Sequence, residues 1–284
     1  MTAAPPNQAQ IDYWNEQSGP KWVARQVELD RFLESLGRTA MDRLGPLAGA
    51  RVLDVGCGCG DTTLALAERT GPRGAVLGVD VCTPMLARAR ERARHLPNVA
   101  FLEADAQTHR FDPKSTDALF SRFGVMFFAD PTIAFANLRA TLRPAGRLAF
   151  VCWQELAKNP WCMVPLGAVA AHVPLPPPPA PGEPGPFSFG DAARVRRILE
   201  GAGFARVEIE PHEQPLGLGD GGGIEQAVEF ALEVGPTARL VKDVAPEVKG
   251  RAREAIRTAL LPFAGPGGVR LPSASWIVTA RNGA

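Results

Sequence analysis

The segment from Arg51 to Asp61, RVLDVGCGCGD, constrains the fold of this chain more than any other. A short apolar run ends in three closely spaced glycines, and a helix-forming stretch, Thr62 to Arg69, follows at once. This order predicts a strand, a tight turn and a helix start, with backbone N–H groups facing an open crevice at the strand's carboxyl end. Glycine suits such a turn because it adopts unusual φ values and lets a ligand approach the backbone. The segment therefore predicts a site for a molecule of nucleoside-like shape.

Strand-like apolar runs alternate with helical stretches between residues 51 and 153, which is typical of a parallel α/β sheet. The runs are almost continuously apolar, as expected of strands that helices cover on both faces. The predicted strands are Val52–Val55, Ala75–Val79, Val99–Leu102, Ala118–Ser121 and Leu148–Cys152, and the predicted helices are Thr62–Arg69, Pro84–His95 and Thr132–Leu142. The fold class is therefore α/β.

Composition restricts the partners of the chain. It has 284 residues with a formal net charge of +1, so no global positive field predicts binding to nucleic acid. The start, MTAAPPNQAQ, lacks the pattern of a signal peptide. The most apolar stretch, Trp161 to Leu175, is short for a membrane span and contains prolines, so it is interpreted as a buried or lid helix. Five cysteines without paired metal-ligand spacing favour a cytoplasmic protein with reduced thiols and no metal: Cys57, Cys59, Cys82, Cys152 and Cys162.

The pattern changes after Trp153. The proline-rich segment from Pro174 to Pro186 can be neither a helix nor a central strand, which leaves an extended surface loop or a docking motif. A helix at Asp191–Gly201 and a strand at Ala205–Glu210 then resume the core pattern. Two further helices, Glu225–Val234 and Thr237–Leu261, precede a closing strand, Trp276–Thr279.

The details of the glycine turn separate two kinds of cofactor. Dinucleotide-binding proteins space their glycines G-x-G-x-x-G around a pyrophosphate, whereas this chain has G-x-G-x-G after an acid, Asp54. A carboxylate facing the crevice would repel a pyrophosphate and suits a ligand that carries ammonium or sulfonium charge. The segment resembles the first motif of class I S-adenosylmethionine (SAM) methyltransferases, in which an acid precedes G-x-G-x-G. In this interpretation Asp54, Gly56, Cys57 and Gly58 contact the cofactor.

Further motifs follow at the ends of the next three strands. Asp80, 20 residues after Gly60, is placed to accept both ribose hydroxyls, a spacing that NAD proteins share; the alternative is an exposed turn aspartate. The resemblance also assigns residues to the cofactor that could instead cap turns or fill the core. They are Val81 and Met85 beside the nucleoside, Asp105 and Ala106 at the adenine, and Ser121, Arg122 and Phe123 beside the sulfonium.

Ala50 to Trp153 is similar to the methyltransferase domain of ubiquinone and menaquinone biosynthesis enzymes and their small-molecule relatives. This similarity implies a Rossmann-like, seven-stranded, mostly parallel sheet with helices on both faces and a final hairpin. The resulting organisation has four parts: an N-terminal helical lid at 1–48, a SAM-binding core at 49–153, a proline-rich lid or acceptor loop at 154–190, and the end of the core at 191–284 with a helical cap inserted at about 213–268. The end of the fourth strand lacks the Arg-Asn pair of the quinone enzymes, which argues against a quinone substrate.

Aromatic residues mark the predicted substrate side. Tyr13, Trp14 and Trp22 lie in an N-terminal stretch that could close over the cofactor or merely fasten a helix to the core. The first two are predicted cofactor contacts. The acceptor pocket is predicted to include both aromatic and polar residues that follow the fourth and fifth strands: Phe123, Phe127, Trp153, Asn159 and Trp161. Phe127 and the adjacent Phe128 could equally belong to the core.

The sequence does not single out a catalytic base. His109, His172 and Tyr13 are weak candidates, because none has a partner that the sequence can identify. The predicted reaction is direct in-line transfer of a methyl group from SAM to an O, N, S or C nucleophile of a small molecule, leaving S-adenosylhomocysteine. Alternatives are a protein or RNA methyltransferase, a non-catalytic SAM-binding regulator and an NAD-dependent oxidoreductase. A monomer or homodimer without a membrane span is expected.

Overall fold

The computed structural model of the chain describes residues 6–180 and 182–283. The first five residues of the predicted lid, and Pro181 of the predicted proline-rich loop, lie outside the described residues.

A central β-sheet organises the chain, as the alternating sequence pattern predicts. Seven strands form its main path in the order β3-β2-β1-β4-β5-β8-β6, and a short strand, β7, pairs with β8. The strands are β1 Arg51–Val55, β2 Ala75–Asp80, β3 Val99–Glu103, β4 Thr116–Arg122, β5 Leu142–Trp153, β6 Phe204–Leu218, β7 Ala264–Gly265 and β8 Gly268–Asn282. β6 and β8 are neighbours although helices separate them in sequence, which confirms the predicted interruption of the last two strands.

The parallel register brings strand ends to one edge. β1 pairs in parallel with β2 and with β4, and Asp54 lies opposite Gly78 on one side and Phe120 on the other. β2 pairs in parallel with β3, where Asp80 lies opposite Glu103. Because parallel strands end at the same edge, the segments that follow β1, β2, β3 and β4 meet there. This edge is called the carboxyl edge below.

Helices flank the strands. They are α1 Gln8–Tyr13, α2 Gly19–Ala24, α3 Gln26–Asp42, α4 Asp61–Thr70, α5 Thr83–Ala93, α6 Pro131–Thr141, α7 Pro160–Ala170, α8 Ala192–Gly201, α9 Ile224–Glu233, α10 Pro236–Leu240 and α11 Pro246–Leu260. A π-helical turn, Trp14–Ser18, joins α1 to α2. The single helix predicted over Thr237–Leu261 is wrong: α10 and α11 are separate, because Pro246 lacks a backbone N–H and suits the first turn of a helix.

The chain divides into two compact units. Unit 1 comprises Met1–Trp153, Gly182–Pro211 and Trp276–Ala284, and unit 2 comprises Gln154–Pro181 and His212–Ser275. The core of unit 1 includes a cluster of phenylalanines from β5, α6 and the segment before α8, with ring centroids 5.6 to 6.3 Å apart: Phe135, Phe150 and Phe189. In the described ranges no helix is both long and apolar enough to cross a membrane.

Candidate functional site

The glycine turn after β1 satisfies most of its own backbone groups. Gly56, Gly58 and Gly60 adopt φ values of +69°, +54° and +84°, as the sequence predicts for a tight turn. The N–H groups of Gly56 and Cys57 donate to the carbonyl of Val79, at 2.8 and 3.2 Å, and the N–H of Gly60 donates to Cys57 at 2.9 Å. The prediction that these N–H groups face an open crevice is therefore wrong. A turn that uses its N–H groups internally is poorly suited to a pyrophosphate.

Asp80 joins the turn to the end of β2. Its Oδ2 accepts from the N–H of Gly58 at 2.8 Å, and its Oδ1 accepts from the N–H of Cys82 at 2.9 Å. Burial raises the pKa of the Asp80 carboxyl above its ordinary value, and the backbone donors oppose that shift. Each carboxylate oxygen can accept a second hydrogen bond. Asp80 is thus held at the carboxyl edge with acceptor capacity to spare.

Asp54 lies beneath the turn. Its side chain is fully buried, and Oδ2 accepts from the hydroxyls of Thr62 and Thr63 at 2.7 Å each. Within the described residues Oδ1 has no hydrogen-bond partner. Burial raises the pKa of Asp54 to about 6, against the effect of the two threonine hydroxyls. The carboxylate is therefore not exposed to an open crevice as predicted, but it has one buried oxygen that a cationic or donor group would stabilise.

The raised pKa predicts how Asp54 affects stability. Because folding favours its protonated form, the free energy of unfolding should fall as pH rises from about 4 through 6. Asp54→Asn removes this titration. We expect the free energy of unfolding of the variant, relative to that of the parent protein, to rise by about 1 kcal/mol between pH 5 and pH 7.5, measured by urea denaturation. An identical pH dependence in both proteins would contradict the assignment.

Asp105 follows β3 and is half-buried. Its carboxylate accepts from the N–H of Gln107 at 2.9 Å and from the amide of Asn7. The next residue, Ala106, is buried, and its carbonyl accepts from Asn137 at 2.9 Å. The structure thus places Asp105 and Ala106 at the same edge as Asp80. Asn7, from the N-terminal segment, was not predicted as part of this arrangement.

The N-terminal helices lie against the segment that follows β2. Trp14, Trp22 and Val23 pack on a buried cluster of Cys59, Cys82 and Met85. The thiol of Cys82 lies 3.3 Å from the carbonyl of Trp14, and a methyl group built at Gly58 would lie 2.7 Å from Cε of Met85. Burial raises the pKa of the Cys59 thiol to about 12 and that of Cys82 to about 11, so these thiols stay protonated at neutral pH. Val81 follows Asp80 in the same segment and is half-buried.

The N-terminal aromatics also reach the segment after β4. The rings of Trp14 and Phe127 meet edge to face at 5.2 Å, and Tyr13 and Trp22 each lie 5.8 Å from Trp14. Phe128 instead contacts Phe135, a core residue. Phe127 therefore belongs with the N-terminal aromatics, whereas Phe128 belongs with the core.

Phe123 combines a strained backbone with an aromatic stack. Its φ is +61°, which is rare for a bulky residue and is tolerated where surrounding contacts fix the backbone. The Phe123 N–H donates to Val151 at 3.0 Å, and its ring stacks on Trp153 with centroids 4.2 Å apart. Ser121 was predicted to contact the cofactor, and the structure shows how its hydroxyl is used. Its hydroxyl donates to Val55 at 2.7 Å and accepts from Gly124 at 3.2 Å, so it holds the backbone together inside the core.

Arg122, a predicted cofactor contact, belongs to a ring of four alternating charges. It lies 2.7 Å from Asp61 and 3.6 Å from Asp30, and Arg92 lies 3.0 Å from Asp30 and 3.5 Å from Asp61. The ring joins α3, α4, α5 and the end of β4. Both arginine side chains are largely buried: Arg122 is 11% exposed and Arg92 is 18% exposed. The guanidinium of Arg122 is thus already paired with carboxylates.

Asn159 and Trp161 belong to unit 2, and their polar groups are already used. Asn159 is fully buried, its Nδ2 donates to carbonyls that include those of Glu155 and Ala274, and its Oδ1 accepts from the N–H of Ala274 and from Nε1 of Trp161. This arrangement ties the start of α7 to β8. The placement of Asn159 in an acceptor pocket stays a prediction; its amide is bonded to groups of the same unit.

The weak catalytic candidates lie in different environments. The ring of His109 contacts Phe111 at 4.6 Å. His172 lines a groove of unit 2 between α7 and α11, with Glu247, Arg251 and Glu254. Tyr13 lies beside Trp14 in the N-terminal segment. His109 and Tyr13 belong to unit 1, and His172 belongs to unit 2.

Comparison with known proteins identifies relatives among methyltransferases. Residues 52–146 match a family model described as a methyltransferase domain. Nocamycin O-methyltransferase from Saccharothrix syringae is 33% identical over 193 residues, which cover 64% of this chain and 68% of that protein. Aklanonic acid methyltransferase DauC from Streptomyces sp. (strain C5) is 36% identical over 121 residues, which cover 42% of this chain and 55% of DauC. The chain thus spans little more than half the length of DauC.

A solved structure shares the fold. Phosphoethanolamine N-methyltransferase 2 from Haemonchus contortus, in complex with SAM, superimposes with a TM-score of 0.61 at 16% identity, covering 100% of this chain and 61% of that one. At this identity the likeness shows the fold alone. The sequence match, at 33% identity over 68% of nocamycin O-methyltransferase, shows the family as well as the fold. This chain belongs to the class I SAM-dependent methyltransferases, enzymes that use SAM as their cofactor.

Proposed function

We propose that this chain transfers the methyl group of SAM to a nucleophilic atom of a small molecule. The observation that carries the proposal is the buried Oδ1 of Asp54, which lacks a partner among the described residues beneath a turn whose own N–H groups are largely satisfied. That combination suits a ligand with a positively charged group and disfavours a pyrophosphate. SAM carries an ammonium group and, when bound, supplies a methyl group already activated by a sulfonium.

Three carboxylates at the carboxyl edge would orient the cofactor. Asp54 is assigned to the methionine ammonium, Asp80 to the ribose hydroxyls and Asp105 to the adenine amino group. The spare acceptor capacity of Asp80 supports its role, since a ribose offers two hydroxyl donors. As the family resemblance implies, Val81 and Met85 are assigned to positions beside the nucleoside, and the backbone N–H of Ala106 is assigned to a ring nitrogen of the adenine.

An aromatic acceptor site is proposed beside the end of β4. The rings of Phe123 and Trp153 stack with centroids 4.2 Å apart and are both buried, and the half-buried Phe127 meets Trp14 edge to face. This aromatic cluster would form an apolar wall that excludes water from an acceptor bound beside it. Oxygen is the favoured acceptor atom, because nocamycin O-methyltransferase is named for that chemistry. Aklanonic acid methyltransferase is named for an acid.

The proposed reaction does not require a general base if the acceptor atom is already ionised. An acceptor that is already ionised, such as a carboxylate or an acidic enol, needs no proton removed by the protein. Such an acceptor fits a chain whose sequence does not single out a base among His109, His172 and Tyr13. Positioning and exclusion of water would then be the main contributions of the protein.

The N-terminal segment is proposed as a lid over the cofactor. Packing of Trp14 and Trp22 on Cys59, Cys82 and Met85 supports this role, because the segment covers the loop that follows Asp80. The four-part organisation predicted from the sequence, a monomer or homodimer, the absence of nucleic acid from its partners and a cytoplasmic location are kept as parts of the proposal.

Titration calorimetry with SAM and with NAD tests the cofactor. We expect SAM and S-adenosylhomocysteine to bind and NAD not to bind. A screen of carboxylic acids, phenols, enols, amines and thiols, followed by S-adenosylhomocysteine release, would then identify the acceptor. NAD binding without SAM binding would contradict the proposal. SAM binding with no turnover on any acceptor would instead favour a SAM-binding regulator.

A further inference from the structure

An asparagine of the N-terminal segment contacts the carboxylate assigned to the adenine. Asn7 immediately precedes α1 and is 5% exposed. Its Nδ2 lies 2.9 Å from both carboxylate oxygens of Asp105 and 3.3 Å from Oε1 of Gln107, and its Oδ1 accepts from the N–H of Ala129 at 2.7 Å. Both ends of the amide are therefore used, as a buried polar side chain requires.

These contacts fix the orientation of Asp105. Two further donors, the N–H of Gln107 at 2.9 Å and the hydroxyl of Thr108 at 3.3 Å, come from the turn after β3. They are local, whereas Asn7 is 98 residues away in the sequence. With the two contacts from Asn7, these donors make four contacts to the Asp105 oxygens, about the number that a carboxylate accepts. An adenine amino group would therefore displace the longest of them, from Thr108 at 3.3 Å. A side chain locked by such neighbours holds a binding geometry more accurately than a free one.

A second asparagine attaches the same segment to the loop after Asp80. Nδ2 of Asn15 donates to the carbonyl of Val81 at 2.8 Å, and its Oδ1 accepts from the N–H of Thr83 at 2.9 Å. The segment is thus bonded to both loops that carry the nucleoside carboxylates. Asn7 contacts the adenine carboxylate itself, whereas Asn15 contacts only the backbone that flanks Asp80.

We propose that Asn7 is a positioning residue of the adenine subsite: its amide aims the Asp105 carboxylate at the 6-amino group, so that selectivity for adenine depends on the Asn7 contact. This proposal rests on the proposed function. An oriented carboxylate accepts from an amino group and repels the carbonyl oxygen that hypoxanthine carries at the same position. A loosely held carboxylate would turn toward solvent and discriminate less.

The experiment compares two ligands that differ at this position, S-adenosylhomocysteine and S-inosylhomocysteine, by titration calorimetry. We expect the parent protein to prefer the adenine ligand. In Asn7→Ala the affinity for S-adenosylhomocysteine should fall about 10- to 100-fold, and that for S-inosylhomocysteine much less, so that the preference is largely lost. Asn7→Asp keeps the acceptor for Ala129 but places a negative charge beside Asp105, and should lose the preference at least as completely.

Two control variants separate orientation from docking. Asn15→Ala loosens the segment without touching Asp105, and should weaken both ligands by similar factors with the preference retained. Gln8 makes an exposed hydrogen bond to Asp12, within its own helix, so Gln8→Ala should bind both ligands like the parent. Thermal unfolding of each variant checks that it folds.

Each outcome has a distinct meaning. Equal weakening of both ligands in Asn7→Ala, or no change, would overturn the positioning role and leave Asn7 at most a docking contact. Binding of neither ligand by the parent protein would contradict the proposed function itself. Loss of the preference in Asn7→Ala and Asn7→Asp, with retention in Asn15→Ala, would support the proposal.

Attachment of the N-terminal segment can be measured separately, by the reactivity of Cys82. Cys82 is fully buried under Trp14, and Cys152 is fully buried in β5. If Asn7 helps to hold the segment closed, Asn7→Ala should increase alkylation of Cys82 several-fold, measured by mass spectrometry, with Cys152 unchanged. Unchanged labelling of Cys82 would show that the amide does not hold the segment in place.

Discussion

Asp80→Ala is expected to weaken SAM binding by about 100-fold or more, because a charged acceptor for two ribose hydroxyls is removed. The same carboxylate also accepts from the N–H groups of Gly58 and Cys82 at 2.8 and 2.9 Å. Without it, both N–H groups lose their acceptor and the glycine turn is free to move. We therefore expect a loss of stability of about 1–3 kcal/mol in addition to the loss of affinity. Calorimetry with SAM and urea denaturation measure the two effects.

Glu103 provides the matched control. It lies directly opposite Asp80 in the parallel pairing of β2 with β3, but it is exposed, and its carboxylate accepts from the hydroxyl of Thr83 at 2.8 Å. Glu103→Ala removes an acid from the same edge and should change SAM affinity less than threefold. If Asp80→Ala folded and bound SAM as tightly as Glu103→Ala does, Asp80 would have no role in holding the ribose.

The placement of the three acids could be predicted because it follows from one rule of topology. Asp54 and Asp80 lie within two strands of alternating βα units, and Asp105 follows a third. Parallel strands end at the same edge, so local patterns were enough to place these residues near one another. The strands predicted between residues 51 and 153 depend on the same repeating pattern, whereas the interrupted final pair was expected from the family resemblance.

The side-chain partners of these acids could not be predicted in the same way. The sequence showed that Asp54 precedes the turn, but not that Thr62 and Thr63 would bond to it and leave one oxygen without a partner. That outcome depends on how deeply the start of α4 packs over β1. Ser121 was assigned to the cofactor for its position alone, although its hydroxyl is short enough to bond to the backbone of β1.

Long-range contacts of neutral residues were harder to predict than the partners of the acids. Asn7 and Asn15 carry no charge and match no motif considered in the sequence, yet they bond to loops 98 and 66 residues away. Arg122 was near the right strand end, but its partners Asp30 and Asp61 come from two separate helices. Such pairings depend on the final packing of helices, which short sequence windows do not contain.

Gly56→Ala is expected to disrupt the glycine turn. Gly56 has a φ of +69°, and a methyl group built on it would lie 2.7 Å from Cα of Gly124. The conformation alone costs an alanine about 1 kcal/mol, and overlap with backbone that cannot move aside costs about 1–3 kcal/mol more. Since Gly124 immediately follows the strained Phe123, relief of the overlap should also displace the Phe123–Trp153 stack. We therefore expect loss of SAM binding and a drop in stability of about 3 kcal/mol.

Gly49→Ala separates the two causes. Gly49 has a similar φ of +73°, but a methyl group built there meets nothing within 4 Å. Its substitution should cost only the conformational part, about 1 kcal/mol, and should leave SAM affinity unchanged. The difference between the two variants in urea denaturation therefore measures the close approach of β1 to the turn after β4. Equal losses in both would mean that backbone conformation alone requires glycine at position 56, and that contact with Gly124 does not shape the site.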